Sequence, residues 1–334
     1  MIGRELEALL QADYLNIEFI IINDRSTDRT GEIIDSFAGL DHRINAIHIS
    51  ELPSGWLGKV NALNIATKKA RGEWLLYTDA DIRFEPELLK RAVSYAEENG
   101  LDHLSLLPDD RSRAEKILVP IFVLAFGAMF MARTKARNIS QKGSEAFAGV
   151  GAFNLVRRTA YNKTQGFEWL KMEVIDDVGL GYMLKQFGAH SNILTAEGLL
   201  SFEWYPSLPE AIKGLEKNSF AGFAGYSYSR GVLLLLSMWC MVLLPFAVSI
   251  AYLNILMFLG LAFLYFILPA MVAIILKEKI QMKPLLVALI PIGYLFVSIA
   301  LLNSMISVKR EGGIRWRDTF YPLDELRKGR RVKL

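Results

Sequence analysis

Two long uncharged stretches in the C-terminal third of the chain constrain its fold more than any other feature. Residues 232–276 contain no charged side chain and are interrupted by Asn254, and residues 285–307 form a second such stretch. A helix needs about 20 apolar residues to cross the hydrocarbon core of a membrane. The pattern therefore predicts an α-helical transmembrane region over residues 231–308. Its predicted spans are about 232–252, 255–276 and 285–307.

The composition indicates that an α/β domain precedes these helices. Apolar residues make up 52% of the chain and the mean hydropathy is +0.26, and the apolar excess is concentrated toward the C-terminus. Residues 1 to about 105 alternate short apolar runs with amphipathic stretches of helical spacing. Strands that alternate with helices in this way predict βαβ units and a parallel sheet. We therefore expect an α/β domain over residues 1–230.

A shorter apolar segment lies inside that domain. Residues 117–132 read ILVPIFVLAFGAMFMA, about 16 residues that include Pro120 and Gly127. This length is short for a transmembrane helix, so the pattern favours an interfacial or re-entrant helix over a crossing. A buried core helix is the alternative.

Residues 309–334 form a basic tail. They contain nine Lys or Arg and four Asp or Glu, whereas the whole chain has a net charge of only +3. A basic segment beside a transmembrane region suits contact with anionic lipid head groups, and a nucleic-acid-binding protein would more typically carry basic stripes on its folded domain. A solvated tail without a partner is the alternative.

The tail and the three predicted spans indicate different topologies. Three crossings would place the tail opposite the α/β domain, against the tendency of Lys and Arg to remain on the cytoplasmic side. Either the break at Pro291–Gly293 makes the third segment a re-entrant hairpin, or residues 117–132 insert more deeply. The charged loop KEKIQMKP, residues 277–284, separates the second and third spans. Both alternatives stay open at the level of the sequence.

Acidic side chains follow two of the predicted strands at the point where each strand ends. Asp24 follows EFIIIN, and Asp79 and Asp81 follow EWLLYT. Ligands of parallel sheets bind beyond the carboxyl ends of the strands. Mg²⁺ or Mn²⁺ takes oxygen ligands from one or two carboxylates and from substrate phosphates. Helix capping is the alternative role for each acid, but two such strand ends in one sheet favour an acidic site.

Five segments together resemble family 2 glycosyltransferases of the GT-A fold. In chain order they read IIINDRSTDRTGEII, GWLGKVNALNIA, GEWLLYTDADIRFEPELL, AGVGAFNLVRR and IDDVGLGYMLK. The likeness covers roughly residues 5–230. With its hydrophobic C-terminus, the chain is most similar to membrane-anchored, lipid-modifying members such as the hopene-associated, carotenoid-type and ceramide glucosyltransferases. The resemblance implies a Rossmann-like mixed sheet flanked by helices.

The resemblance also implies roles for residues around a nucleotide sugar. Asp24 matches the acid that holds the base, and Lys59 matches a lysine near the nucleotide or diphosphate. Asp79 matches a residue near the ribose. Asp81 matches the ligand of a divalent Mn²⁺ or Mg²⁺ ion.

A second group of matching residues borders the sugar and the acceptor. The Gly-rich turn of the family matches Gly149 to Gly151, and the acids of IDD match a general base, Asp177, and the acid before it, Asp176. An inverting transfer needs a carboxylate within hydrogen-bond reach of the acceptor hydroxyl. The alternative is that adjacent acids at a helix start stabilise the helix dipole, and the other motifs in register favour the base.

The chain departs from the family pattern in two places. Processive members carry a Q-x-x-R-W motif where this chain has Lys217 and Asn218. Lys217 could still face the diphosphate as a point charge, and the missing tryptophan favours transfer of a single sugar. The family also begins with a strand that ends in a turn like P-x-x-N-E, usually after a membrane anchor. We interpret the N-terminus as truncated, through a misassigned start codon or in a form with an incomplete donor site.

The expected function is that of an inverting, metal-dependent glycosyltransferase. It would move one sugar from a nucleotide-diphosphate sugar, first of all a UDP-sugar, to a lipid acceptor, with no nucleic-acid partner. We expect a multi-pass protein of the inner cell membrane with a cytoplasmic catalytic domain. A processive polysaccharide synthase and a non-catalytic membrane protein that retains the fold are the alternatives.

Overall fold

The computed structural model describes residues 2–110, 117–141, 143–275 and 283–333. The chain divides into two compact units. The first comprises Met1–Arg111, Thr134–Glu203 and Lys328–Lys333, and the second comprises Ser112–Arg133 and Trp204–Arg327. Residues 204–230, which were predicted to belong to the α/β domain, lie in the second unit with the apolar helices. Most of the charged loop predicted at 277–284 lies outside the described residues.

Within these residues the strands are β1 (Phe19–Asp24), β2 (Ile44–Ile49), β3 (Trp74–Tyr77), β4 (Ile82–Phe84), β5 (His103–Leu107), β6 (Asp109–Asp110), β7 (Asn154–Arg157), β8 (Ser191–Thr195), β9 (Leu200–Phe202), β10 (Gly313–Trp316) and β11 (Thr319–Pro322). The helices are α1 (Ile2–Leu10), α2 (Thr30–Leu40), α3 (Gly58–Lys69), α4 (Leu88–Glu98), α5 (Leu118–Arg133), α6 (Arg158–Tyr161), α7 (Asp176–Gln186), α8 (Leu208–Gly214), α9 (Glu216–Ala224), α10 (Tyr228–Ala251), α11 (Ile255–Ala262), α12 (Leu268–Ile275), α13 (Pro284–Ala288), α14 (Ile290–Glu311) and α15 (Leu323–Gly329). A π-helical turn, Phe263–Ile267, joins α11 to α12.

The first unit has a mixed strand arrangement. β1 and β2 pair in parallel across α2, as the βαβ pattern predicts. β3, β7, β5 and β8 pair in that order, with β7 antiparallel to β3 and β5, and β5 parallel to β8. β4, β9 and β6 form a further sheet. The mixed sheet implied by the resemblance is confirmed. The parallel sheet expected from the alternation of strands and helices does not extend to β3, which pairs antiparallel with β7. The local pattern could not show this pairing, because β7 lies far from β3 in sequence.

Helix α4 illustrates how the apolar pattern produces the core that positions the sheet. Its side chains Leu88, Leu89 and Ala92 are buried at helical spacing. They belong to one cluster with Leu104 of β5 and Leu155 of β7. Full burial of one leucine side chain contributes about 1.5–3 kcal/mol. This cluster therefore anchors the sheet to which β3 belongs.

Three helices within the described part of the second unit are long and apolar enough to cross a membrane. They are Tyr228–Ala251, Ile255–Ile275 and Ile290–Glu311, which confirms the predicted apolar helices after the α/β domain. In the most apolar 18-residue stretch of each helix, the buried share is 22% for α10, 6% for the helix Ile255–Ile275 and 39% for α14. α14 is thus the most enclosed of the three.

Helix α5 contacts α14 very closely. A Cβ added at Gly293 would lie 2.3 Å from the carbonyl oxygen of Ile121, so this contact excludes any side chain at residue 293. One face of α5, including Val119 and Phe122, is buried. An interfacial position of α5 at a membrane stays a prediction.

The basic C-terminal segment is folded where the structure describes it. α14 continues to Glu311, and β10 and β11 then form an antiparallel hairpin that leads into α15. Residues 328–333 belong to the first unit.

Candidate active site

An ammonium group joins two acidic segments of the first unit. Nζ of Lys59, in the first turn of α3, lies 2.7 Å from Oδ1 of Asp79 and 3.4 Å from Oδ2 of Asp176. Burial alone would lower the pKa of Lys59, but the neighbouring carboxylates outweigh it and raise that pKa. The lysine therefore stays charged and holds the carboxylates together.

The backbone of β3 and its antiparallel partner β7 positions Asp79. The N–H of Asp79 donates to the carbonyl oxygen of Gly151 at 3.0 Å, and Oγ1 of Thr78 donates to the carbonyl oxygen of Ala152 at 2.9 Å. The side chain of Asp79 is 39% exposed. The carboxylate thus emerges at the carboxyl end of a buried strand, where the sequence predicted it.

A glycine-rich turn, residues 149–151, lies directly on the first turn of α7. A Cβ at Gly149 would lie 1.7 Å from the carbonyl oxygen of Asp177, and one at Gly181 would lie 1.8 Å from that of Ala148. A Cβ at Gly151 would lie 2.6 Å from Oδ2 of Asp79. The turn and the helix approach so closely because both carry glycine at these positions.

The acid pair at the start of α7 has an environment that helix-dipole stabilisation alone does not explain. Asp176 is 5% exposed. Burial raises its pKa, the ammonium of Lys59 counteracts part of the shift, and the neighbouring carboxylates add to it. Asp177 accepts the N–H of Gly151 on Oδ2 at 2.9 Å and the N–H of Val178 on Oδ1 at 2.8 Å. Burial nevertheless raises the pKa of Asp177.

These carboxylates and the lysine line one small cavity together with Asn154 of β7. Oδ1 of Asn154 accepts a hydrogen bond from Oγ of Ser105 at 2.6 Å. No role was predicted for Asn154 from the sequence. The sequence signal that could have identified it is that Asn154 is the one polar residue among the apolar residues of the segment GAFNLV.

Asp24 lies at the end of β1 and is paired with its neighbour. Nε of Arg25 donates to Oδ1 of Asp24 at 2.8 Å, and Nη2 donates to Oδ2 at 3.1 Å. A Cβ at Gly58 would lie 2.6 Å from Oδ2 of Asp24. Asp24 therefore lies against Gly58, the first residue of α3, which directly precedes Lys59. The carboxylate of Asp24 is bound by Arg25.

Asp81 is exposed, whereas Asp176 is buried. Partial desolvation and the charge of Asp79 raise its pKa, and no ion pair to Asp81 occurs among the described residues. Its oxygens suit a divalent cation, which would relieve the excess negative charge. No cluster of three or more His, Cys, Asp or Glu suited to a metal occurs in the part of the chain that the structure describes. The role of Asp81 as a ligand of a divalent cation stays a prediction.

Lys217 lies in the second unit, in α9. Its Nζ is 3.5 Å from the centroid of the Trp316 ring, in the hairpin β10–β11. A cation over an indole face is stabilised by the ring quadrupole. The predicted contact of Lys217 with a diphosphate stays a prediction.

A comparison with family models matches residues 1–164 to Glycosyl transferase family 2. Residues 1–164 are therefore similar to a family 2 glycosyltransferase domain. The match includes Asp24, Lys59, Asp79 and Asp81, and it ends before the acid pair of α7. The roles expected for individual residues and the lipid-modifying subgroup stay predictions.

Two bacterial proteins are among the curated relatives to which this chain is similar. The chain is 35% identical over 97 residues to "Uncharacterized glycosyltransferase EpsJ" of Bacillus subtilis, covering 29% of this chain and 27% of that protein. It is 31% identical over 101 residues to "Poly(ribitol-phosphate) beta-N-acetylglucosaminyltransferase TarS" of Staphylococcus aureus, covering 30% of this chain and 17% of that protein. The aligned region thus spans less than a third of either relative's length.

A solved structure shares the fold of this chain. The mannosyltransferase PcManGT from Pyrobaculum calidifontis, solved in complex with GDP-Man and Mn²⁺, matches with a TM-score of 0.51 and 15% identity. The match covers 93% of this chain and 83% of that one. The GT-A-like fold that the resemblance implied is confirmed.

Proposed function

We propose that this protein is an inverting glycosyltransferase that moves one sugar from a nucleotide-diphosphate sugar to a lipid acceptor. The observation that carries the proposal is the bridge from Lys59 to Asp79 and Asp176. Asp177 lies beside this bridge and accepts a hydrogen bond from Gly151 of the glycine-rich turn. This arrangement combines a cation for a diphosphate with a carboxylate for an acceptor hydroxyl. The family 2 domain supports the same class of reaction.

The donor would bind along the carboxyl ends of β1 and β3. Asp24 would contact the base, Asp79 the ribose, and Lys59 the diphosphate. An ammonium already held among carboxylates needs little reorganisation to stabilise a diphosphate. A UDP-sugar is the first donor to test, and a GDP-sugar the second, since the neighbour in fold was solved with GDP-Man.

Asp81 would hold a divalent cation, Mn²⁺ or Mg²⁺, with the donor phosphates as further ligands. The chemistry that such an ion supplies is neutralisation of the charge on the departing diphosphate. The exposure of Asp81 supports this role, because its carboxylate is open to an incoming ion.

Asp177 would act as the general base. The acceptor hydroxyl oxygen forms a bond to the anomeric carbon while the bond from that carbon to the diphosphate oxygen breaks. The hydroxyl proton passes to Asp177, and the nucleoside diphosphate leaves with the bonding electron pair. Burial raises the pKa of Asp177 and so strengthens it as a base. Asp176 lies deeper and would hold Lys59 in place.

The acceptor assignment rests on the apolar helices. Three described helices suit a membrane, so the reaction would occur at the inner membrane with the glycosyltransferase domain on the cytoplasmic side. Lys217 and Asn218 replace the Arg and Trp of processive members, which favours transfer of a single sugar.

The test measures transfer of radiolabelled sugar to membrane lipids by the full chain, with and without Mn²⁺. Asp177→Asn should abolish transfer and leave donor binding intact, and Asp81→Ala should remove the response to Mn²⁺. Glu51→Gln, an exposed acid outside the cavity, is the control. Full activity of both site variants would refute the assignments, and label in a polymer instead of a lipid would refute the acceptor.

A further inference from the structure

The C-terminal segment 328–333 docks on the loop 169–175, which leads into α7. Both belong to the first unit. The backbone N–H groups of Arg331 and Val332 donate to Oε2 of Glu173 at 2.7 and 3.0 Å. Val332 is fully buried and Glu173 is 2% exposed. A buried carboxylate is costly unless it is hydrogen-bonded, so the C-terminal segment supplies bonds that Glu173 requires.

Arg331 adds a side-chain contact to the same loop. Its Nε donates to the carbonyl oxygen of Trp169 at 3.0 Å, and its guanidinium lies 5.7 Å from the centroid of the Trp169 ring. Trp169 stacks on Tyr182 of α7 with centroids 6.3 Å apart. A Cβ at Gly329 would lie 2.2 Å from Cβ of Met172, so the segment contacts the loop through its backbone as well.

The loop also contacts both helices that carry the charges of the active site. A Cβ at Gly179 of α7 would lie 3.2 Å from Cγ of Glu173, and Oε1 of Glu173 accepts the N–H of Ile175 at 3.4 Å. The carbonyl oxygen of Lys171 accepts the N–H of Leu57 at 2.8 Å, directly before α3. The loop therefore connects the C-terminal segment to α3, which carries Lys59, and to α7, which carries Asp176 and Asp177.

We propose that residues 328–333 form a latch that holds the acid pair of α7 in its reactive position, with Glu173 as the positioning residue. The latch rests on the proposed function, because it acts on the base of that reaction. Without the latch, a buried carboxylate loses two donors, and an unsatisfied buried group favours rearrangement of the loop around it.

The test compares the same substitution at two adjacent residues of the full-length protein. Val332→Asp places a charge at a fully buried position, whereas Lys333→Asp changes an exposed one. We expect Val332→Asp to lower kcat by about 10-fold to 100-fold, since a displacement of roughly 1 Å can cost about 100-fold. The calorimetric Kd for the nucleotide sugar should change less than about twofold, and Lys333→Asp should change neither quantity.

A second pair of variants keeps the proposal testable where Val332→Asp fails to fold. Glu173→Ala removes the acceptor and should lower kcat. Glu173→Gln keeps a carbonyl oxygen for the N–H groups of Arg331 and Val332 and should recover much of that loss. A purely structural role would lower the melting temperature and weaken donor binding together with kcat. Equal kcat in Glu173→Ala, Glu173→Gln and the unchanged protein would overturn the latch.

The results also separate the latch from the proposed function. Full transfer activity of Asp177→Asn would refute the base assignment whatever the latch variants do. Loss of transfer in Asp177→Asn, with unchanged kcat in folded Val332→Asp, would refute the latch alone. A loss of kcat in both, with donor binding retained, supports both.

Discussion

Gly149→Ala tests whether the contact between the glycine-rich turn and α7 sets the position of the acid pair. The added Cβ would lie 1.7 Å from the carbonyl oxygen of Asp177, 2.4 Å from its carbonyl carbon and 3.0 Å from the nitrogen of Val178. All three are backbone atoms, so no change of rotamer relieves the overlap. The turn and the helix must therefore move apart.

The geometry gives the size of the expected effect. Ordinary contact between non-bonded heavy atoms occurs at about 3.5–4.0 Å, so the overlap requires a displacement of roughly 2 Å. Such overpacking of a well-packed contact costs about 1–3 kcal/mol of folding free energy. A displacement of even 1 Å at a reacting group can cost about 100-fold in rate. We therefore expect a larger loss of kcat than the change in stability suggests.

Denaturant unfolding and single-turnover transfer, measured on the same preparation, separate these two effects. Gly39→Ala is the matched control, because nothing lies within 4 Å of a Cβ at this position in α2. It should leave kcat unchanged and raise the unfolding free energy by roughly 0.4–1 kcal/mol. Gly149→Ala protein with native stability and native kcat would refute the contact as a determinant of the site.

Two charge substitutions should move the acid limb of the pH–rate profile in opposite directions. The base works deprotonated, so kcat falls as the pH drops through the raised pKa of Asp177. Lys59→Met removes a positive charge that lowers this pKa, so the acid limb should move to higher pH. Asp79→Asn removes a negative charge that raises it, so the limb should move to lower pH. Glu51→Gln should leave the profile unchanged, and shifts of the same sign in both site variants would contradict the assignment.

The local pattern predicts the acidic strand ends well. Asp79 follows a buried apolar run, and a buried run that ends in acids places them at the carboxyl edge of a sheet. The resemblance implied that Gly149 and Gly151 lie in a turn that borders the sugar and the acceptor. The structure brings Gly151 to Asp177 through a hydrogen bond of 2.9 Å.

Contacts between distant parts of the chain have no such local signal. The bond from Lys59 to Asp176 joins residues of two separate motifs, and either residue alone is equally consistent with an exposed helix start. The bonds from Arg331 and Val332 to Glu173 join residues about 160 positions apart. The sequence shows the end of the chain only as a basic tail, because its docking depends on backbone N–H groups, which every non-proline residue carries.

The position of the C-terminal segment bears on membrane topology. Residues 328–333 belong to the same unit as residues 134–203. A chain that leaves a unit on one side of a membrane and rejoins it must cross the membrane an even number of times. Three separate crossings between residues 203 and 328 are therefore inconsistent with this unit. We expect that α14 does not form a separate crossing, because 39% of its most apolar stretch is buried, against 22% in α10 and 6% in the helix Ile255–Ile275.

Cysteine labelling tests this topology directly. Cys240 is the one cysteine of the chain, so Cys240→Ser gives a background in which single cysteines are introduced by Glu51→Cys, Tyr252→Cys or Lys333→Cys. Tyr252 is 80% exposed at the end of α10. With an even number of crossings, an impermeant maleimide should reach positions 51 and 333 from one side of inverted vesicles and position 252 from the other. This result would place the basic residues on the side of the glycosyltransferase domain, in agreement with the preference of Lys and Arg for the cytoplasm. Labelling of positions 252 and 333 from the same side, opposite position 51, would show an odd number of crossings and would exclude the latch in the membrane-inserted protein.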